Sequence, residues 1–388
     1  MSQVNQISQG SVANIAGALA LRIVWDGRTV TAVDVASTRP CAARLLVGKP
    51  AVMALALLPM LYGVCGKAQG LAGHAAVAAA QGCAGKTWCD ERVAVIIEAT
   101  QEHLWRLLLD WPRLLGLPPL ETEFSAWYKR INDIGIIAGG AGACAASGKF
   151  AGFVEAALLG MPLTDWFALD APDELVRNEA LAGRLWRALP DEEVAKTGAV
   201  GWLANCSAVD YVRDDGVRWN EDFVRCPEWQ GQAAETGALA RWKDHPLVAA
   251  ALARHGRGVR ARLLARLMDL AQCTRYIANQ DAAFADKLFD ACTPAPGVGV
   301  SRVETARGAL LHRVRLADGE KRRDGGKQMI GEYAVVAPTE WNFQPRGAFV
   351  AALHGAMATD AGALRGHGLR LALALDPCVP YEVAVEHA

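Results

Sequence analysis

Asp376-Pro377-Cys378-Val379-Pro380-Tyr381, a few residues before Ala388, and Tyr62-Gly63-Val64-Cys65, far upstream, each read as half of a paired-cysteine metal motif. Two distant Cys-x-x-Cys pairs brought together supply four thiolates, but in each of these segments one cysteine is replaced by tyrosine. A thiolate is the natural soft ligand for iron or nickel, so halving the set changes which metal the site can hold.

The 388 residues, 52% of them hydrophobic, are enough to bury a large core. Forty basic residues against forty-one acidic ones leave almost no net charge, so neither a nucleic-acid partner nor an anionic membrane is expected. MSQVNQISQGSVANIAG lacks the basic and apolar regions of a secretory signal, and a cytoplasmic location is expected. The most apolar stretch, Ala51 to Cys65, is interrupted by Pro59 and flanked by Lys49 and Lys67. It is too short for an unbroken bilayer span and reads as a buried helix. Ten cysteines without regular spacing argue against a disulfide scaffold and for small buried hydrophobes, unless local context says otherwise.

LRIVW and TVTAVDV alternate around Asp26-Gly27, a strong turn signal, and predict a hairpin over Leu21 to Val35. Cys41 to about Ala80 is Ala/Leu-rich and helical in pattern. Val93 to Leu115 has helical apolar spacing until Pro112. The Trp-rich middle, about Leu158 to Trp242, gives no clear order. His245 to Asp290 reads as one or two long helices broken near Gly256-Arg257-Gly258, and Leu310 to Leu316 and Glu332 to Ala337 read as strands. With no internal repeat or clear linker, the pattern predicts a single α+β unit over 1–388, a helical core with β hairpins near the N-terminus and in the C-terminal region.

Other motifs fail on inspection. Gly139 to Lys149 resembles a phosphate loop, but Ala143 and Phe150 stand where glycine and a hydroxyl residue are needed, and Gly85-Lys86-Thr87 lacks its first glycine, at Ala80. His74, Cys83 and Cys89 fit no compact zinc knuckle. No Gly-x-Ser-x-Gly elbow or His-Glu-x-x-His helix is present.

With its neighbouring segments, the pair of half-motifs resembles the large subunit of NiFe hydrogenases, nearly end to end. That family carries Arg-x-Cys-Gly-x-Cys-x-x-x-His near its N-terminus and Asp-Pro-Cys-x-x-Cys-x-x-His at its C-terminus. Here the segments read Met60-Leu61-Tyr62-Gly63-Val64-Cys65-Gly66-Lys67-Ala68-Gln69 and Asp376 to Ala384. Glu304-Thr305-Ala306-Arg307-Gly308-Ala309-Leu310-Leu311-His312 resembles the family's Pro-Arg-Gly-x-Leu-x-His, and Ala337-Pro338-Thr339-Glu340-Trp341-Asn342 its Val-Pro-Thr-Thr-Trp-Asn. Glu235 to Arg241 and Gln101-Glu102-His103-Leu104 echo weaker segments.

The resemblance implies a selective loss. Arg307 and Thr339 fall at positions that suit the cyanide ligands of the family's iron, which accept hydrogen bonds, and Leu310 falls at the apolar wall for carbon monoxide. On the nickel side, Tyr62 and Tyr381 replace thiolates with phenols of pKa about 10, expected as packing residues. Ala16 stands for the proton-relay glutamate, Ala384 for the histidine of a magnesium site, and Gln69 for the histidine beside the first pair. Cys65 matches a bridging ligand but Cys378 a terminal nickel ligand, so Cys378 reaches iron only by a rearrangement of the C-terminal segment; His387 is an alternative ligand.

This combination resembles the HupK/HoxV type of accessory protein. The resemblance implies a non-enzymatic scaffold that transiently binds Fe(CN)2CO through Cys65 and Cys378, without nickel. The implied partners are a HypC-type maturation chaperone, other hydrogenase maturation proteins and the hydrogenase large-subunit precursor. Because the chain stops shortly after Asp-Pro-Cys, no maturation cleavage is expected. Two other readings stay open: a metal-free structural subunit of a redox complex, like the large-subunit relative in respiratory complex I, and a divergent redox enzyme. Cys65 as a buried helix cysteine and Cys378 as a packing residue are the plain alternatives for the two thiols.

Overall fold

The Asp26-Gly27 turn closes the first hairpin through its own chemistry. Asp26 Oδ1 accepts hydrogen bonds from the backbone N–H groups of Arg28 (2.9 Å) and Thr29 (2.7 Å), and Gly27 takes a φ of 96° that favours glycine. The strands it joins are β1 (Leu19–Trp25) and β2 (Val30–Ser37). The structure, a computed structural model, describes residues 17–136, 141–190, 200–203, 206–212, 219–279, 282–317, 323–324, 327–358 and 360–388.

Two helices follow. In α1 (Ala51–Leu61) the residues Ala51, Ala54 and Leu58 face inward, whereas Val52 and Met60 are each 80% exposed and Met53 is exposed too. The expectation of a buried helix is therefore corrected: α1 lies on the outer side of α2 (Gly66–Ala80) and has only one face to bury. Burial passes instead to α2, where Ala68, Gln69, Leu71 to Gly73 and Ala75 to Ala80 are all buried. Its alanines let neighbouring backbones approach closely.

The helix α3 (Cys89–Trp105) runs through a π turn at Arg106–Asp110 into a last turn at Trp111–Leu114. Pro112 sits at the start of that last turn, where a missing N–H is tolerated, so the helix passes the expected break. Gly256, at φ 59°, separates α4 (Pro246–His255) from α5 (Val259–Asn279), whose Leu263, Leu264, Leu267 and Leu270 are buried in the main core. The glycine-rich stretch rejected as a phosphate loop is helical from Ala141 onward, and Gly139 and Gly140 lie outside the described residues.

A four-stranded antiparallel sheet then forms from β3 (Phe289–Ala295), β4 (Val298–Thr305), β5 (Gly308–Leu316) and β6 (Ile330–Val336), in the order β6-β5-β4-β3. The two expected strands are β5 and β6. The expected helix to Asp290 is corrected at its end, because Phe289 and Asp290 begin β3. Strand β4 escaped the sequence reading because every residue of it is buried, which removes the alternation that marks a half-exposed strand.

After the helices α6 (Pro338–Asn342) and α7 (Ala361–Leu375) the chain ends in β7 (Tyr381–His387). This strand pairs in parallel with β1, Leu19 opposite Tyr381 and Trp25 opposite His387. The N-terminal hairpin is thus a three-stranded mixed sheet, β7-β1-β2. Among the described residues no helix is long and apolar enough to cross a membrane.

Strand β4 meets α2 at Gly299, where an added Cβ would lie 2.0 Å from the carbonyl oxygen of Ala76 and 2.4 Å from the nitrogen of Ala80. Backbone atoms cannot give way as a side chain can. Gly299→Ala is expected to lower stability by about 1–3 kcal/mol, read as a fall in the denaturant midpoint with an unchanged slope.

Candidate metal centre

Helix α2 starts at Cys65, its N-cap residue, and the first turn brings Gln69 back over the thiol, with Gln69 Nε2 3.5 Å from Cys65 Sγ. Cys378 lies on the short connection between α7 and β7, which is held at its far end by the bond from Leu19 N–H to Pro380 O at 2.9 Å. Thr339, in the first turn of α6, clasps Cys378 from both sides of its hydroxyl. Its O–H donates to Cys378 Sγ at 3.2 Å, and its oxygen accepts from the Cys378 backbone N–H at 3.1 Å.

The two thiols share one electrostatic neighbourhood. Burial above all, then Cys378 and Glu98, pushes the Cys65 thiol up to about 12, while the Gln69 hydrogen bond and Arg307 pull the other way. Cys65 therefore keeps its proton at neutral pH. Among the described residues no group of three or more His, Cys, Asp or Glu is placed to hold a metal ion, and His74, Cys83 and Cys89 form none.

Arg307 sits in the tight turn between β4 and β5. Gly308 is required there: its φ is 128°, and an added Cβ would lie 2.5 Å from Thr236 Oγ1. Arg307 Nη2 donates to Glu102 Oε2 at 2.6 Å. Its Nε lies 3.4 Å from Asp376 Oδ1 and is buried without an aligned acceptor. Burial works against the guanidinium charge, but Asp376, Glu102 and both thiols outweigh it and hold its pKa above the ordinary arginine value.

Asp376 is the hub. It is buried, sits at φ 54° at the end of α7, and meets Arg106 Nε at 2.8 Å and Arg266 Nη1 at 3.1 Å as well as Arg307. Burial raises its pKa, yet the three arginines hold it well below the usual carboxylate range. A second cluster adjoins: Asp269 accepts from Arg241 Nη2 (2.6 Å) and Trp242 Nε1 (2.8 Å) and meets His103 Nε2 at 2.9 Å. The weak segments of the sequence supply these groups. Glu102 and His103 lie on α3, Glu235 pairs with Arg262 at 2.8 and 2.9 Å, and Thr236 exchanges two hydrogen bonds with Asn342 at 3.0 and 3.1 Å.

The remaining residues singled out by sequence divide clearly. Leu310 is fully buried in the apolar cluster between α1, α2 and the four-stranded sheet, with Tyr62 and Cys65 at its edge. Tyr62 lines a cavity of about 210 Å³ together with Arg39, Cys41, Thr339 and Glu340. Tyr381 begins β7 and feels Arg106, Asp376 and Asp110 instead, so the two tyrosines have different charged neighbours. Ala384 is exposed, and Ala16 lies outside the described residues. His387 is corrected as a ligand: six strand steps carry it about 20 Å beyond Tyr381, where it stacks edge-on against Trp25. Arg39, which joins Glu340 at 2.5 Å and whose charge reaches both thiols, was missed because an isolated arginine carries no motif.

Asp376→Asn leaves the buried guanidinium groups of Arg266 and Arg307, and the half-buried one of Arg106, short of a counter-charge, and a loss of about 3–5 kcal/mol is expected from denaturant unfolding. Glu98 gives a pH signature. Its carboxylate accepts from the N–H groups of Lys67 (2.8 Å) and Ala68 (3.0 Å), and burial raises its pKa from 4.5 to about 7. A carboxyl that binds its proton more tightly when folded favours the fold below its unfolded pKa, and this contribution is lost as pH rises through the folded value. Stability relative to Glu98→Gln should therefore fall as pH rises from 4.5 to about 7 and level off above that, measured as paired denaturant midpoints.

No protein-family model matches the chain. Its fold is that of hydrogenase large subunits: the Ni-Fe-Se hydrogenase from Desulfovibrio vulgaris Hildenborough superposes with a TM-score of 0.56 at 15% identity, over 92% of this chain and 94% of that one. In sequence it is 29% identical over 394 residues to the hydrogenase expression/formation protein HupK of Rhizobium leguminosarum bv. viciae, covering 96% of this chain and 98% of that protein. It is 31% identical over 367 residues to the hydrogenase expression/formation protein HoxV of Cupriavidus necator, covering 90% and 92%. A hydrogenase-large-subunit fold, with that identity along nearly the whole length, places this chain in the HoxV/HupK family of hydrogenase expression/formation proteins.

Proposed function

We propose that the protein is a maturation scaffold that holds an Fe(CN)2CO group between Cys65 and Cys378 and passes it towards a hydrogenase large subunit. The observation that supports this reading is that two thiols from opposite ends of the chain lie within electrostatic reach of each other and of one buried guanidinium, that of Arg307. Two thiolates leave positions open for ligands that the iron brings with it. A cyanide nitrogen needs a donor, and Arg307 Nε–H is a buried donor lacking an aligned acceptor. The Thr339 hydroxyl, whose single O–H donates to Cys378 Sγ in the unloaded site, becomes a second donor by turning from the sulfur to a cyanide. Leu310 supplies an apolar wall for carbon monoxide, which accepts hydrogen bonds poorly.

Nickel has no place in this reading, because the phenols of Tyr62 and Tyr381 replace the thiolates it would need. The protein then acts as a carrier rather than an enzyme, in the cytoplasm. Its partners are a HypC-type chaperone, other maturation proteins and the hydrogenase large-subunit precursor. The names of the HoxV and HupK relatives, hydrogenase expression/formation proteins, support the maturation role.

The test is anaerobic purification from cells that contain the maturation machinery, followed by infrared spectroscopy and metal analysis. Cyanide and carbonyl bands with iron and without nickel are expected; protected samples lacking those bands would turn the reading towards a metal-free structural subunit. Cys65→Ala and Cys378→Ala should each lose most of the bound iron. Persistence of the bands in both variants would overturn the ligand assignment.

A further inference from the structure

Behind Cys65 runs a buried line of side chains that the sequence motifs leave without a role. Gln69 Oε1 lies 2.8 Å from His312 Nε2, and His312 Nδ1 lies 2.8 Å from the Tyr333 hydroxyl. Gln69 and His312 are fully buried and Tyr333 is 7% exposed. Three elements build the line: α2 carries Gln69, and the neighbouring strands β5 and β6 carry His312 and Tyr333, which lie diagonally across the register. Gly73 makes room for it, since an added Cβ there would lie 2.9 Å from the Tyr333 oxygen.

Such a line has two self-consistent polarities, and the difference matters to the sulfur. In one, Cys65 S–H donates to Gln69, Gln69 to His312 and His312 to Tyr333. In the other, the donors point towards Cys65. Among the described residues, His312 Nδ1 is the single hydrogen-bond partner of the Tyr333 hydroxyl. A buried O–H with one partner satisfies itself by donating to it. His312 Nδ1 is then the acceptor, Nε2–H donates to Gln69 Oε1, and the Gln69 amide must turn its N–H to Cys65 Sγ. Burial keeps His312 neutral, which this polarity needs.

We infer that Gln69, held in one orientation by His312 and Tyr333, is a positioning residue that presents a permanent N–H donor to the Cys65 sulfur. This rests on the reading of Cys65 as an iron ligand. A hydrogen bond to a coordinated thiolate withdraws charge from it and weakens its donation to the metal. The iron then donates less electron density back to carbon monoxide, and its bond to Cys65 is easier to break. That property suits a site whose cargo has to leave.

Two measurements test the inference. In cargo-free protein labelled with 15N-histidine, His312 should show a protonated Nε2 and an unprotonated Nδ1 at neutral pH, and Tyr333→Phe should abolish this single tautomer. A protonated Nδ1 with a bare Nε2 would mean the opposite polarity and overturn the inference. In cargo-loaded protein, Gln69→Met, which has no donor, should move the carbonyl band to lower frequency, and Gln69→His should restore it. Bands unmoved in a normally loaded Gln69→Met protein would overturn the inference while leaving the scaffold reading intact. Missing bands in the unaltered protein would instead remove the scaffold reading, and with it the role of Gln69.

Discussion

One buried carboxylate, that of Asp376, holds the parts of this molecule together. Three guanidinium groups from three places in the chain converge on it: Arg106 at the end of α3, Arg266 on α5 and Arg307 in the turn between β4 and β5. A charge taken out of water is tolerated only when it is paired, so each of these elements is bound to the position of the C-terminal segment. The backbone at Asp376 is left-handed, a conformation that favours glycine, and the three ion pairs explain why an aspartate is kept there. Cys378 follows two residues later, so the ion cluster that joins helices to sheet also sets the place of one thiol.

The other thiol is placed by packing. Helix α2 is rich in alanine and lies so close to β4 that Gly299 has no room for a side chain. At the other end of the same helix, Cys65 lies at the edge of the apolar cluster that contains Leu310. Apolar packing thus governs one thiol and ion pairing the other, and Arg307 carries a charge that both feel. The π turn at Arg106–Asp110 belongs to the same arrangement, since it begins at the arginine that meets Asp376.

Much of the fold was legible because its signals are local. The Asp26-Gly27 hairpin, the helix break at Gly256 and the strands at β5 and β6 follow from turn chemistry and periodicity. The failures share a cause. Strand β4 is covered on both faces and loses its alternation, while α1 is apolar yet half exposed because one face alone is covered. Neither the partner of a strand nor the covered face of a helix is encoded in its own residues.

For the site, the residue types were readable in advance: two cysteines where four would stand, and the arginine, leucine and threonine of the large-subunit pattern, at Arg307, Leu310 and Thr339. Those identities are chemical and do not depend on the path of the chain. Tertiary structure alone decided that β7 pairs with β1, that His387 is carried away while Cys378 remains, that Thr339 binds Cys378 through both donor and acceptor, and that Gln69 is backed by His312 and Tyr333. Each of these joins residues far apart in the chain, and the energy of such contacts comes from burial and pairing that exist only once the chain is folded.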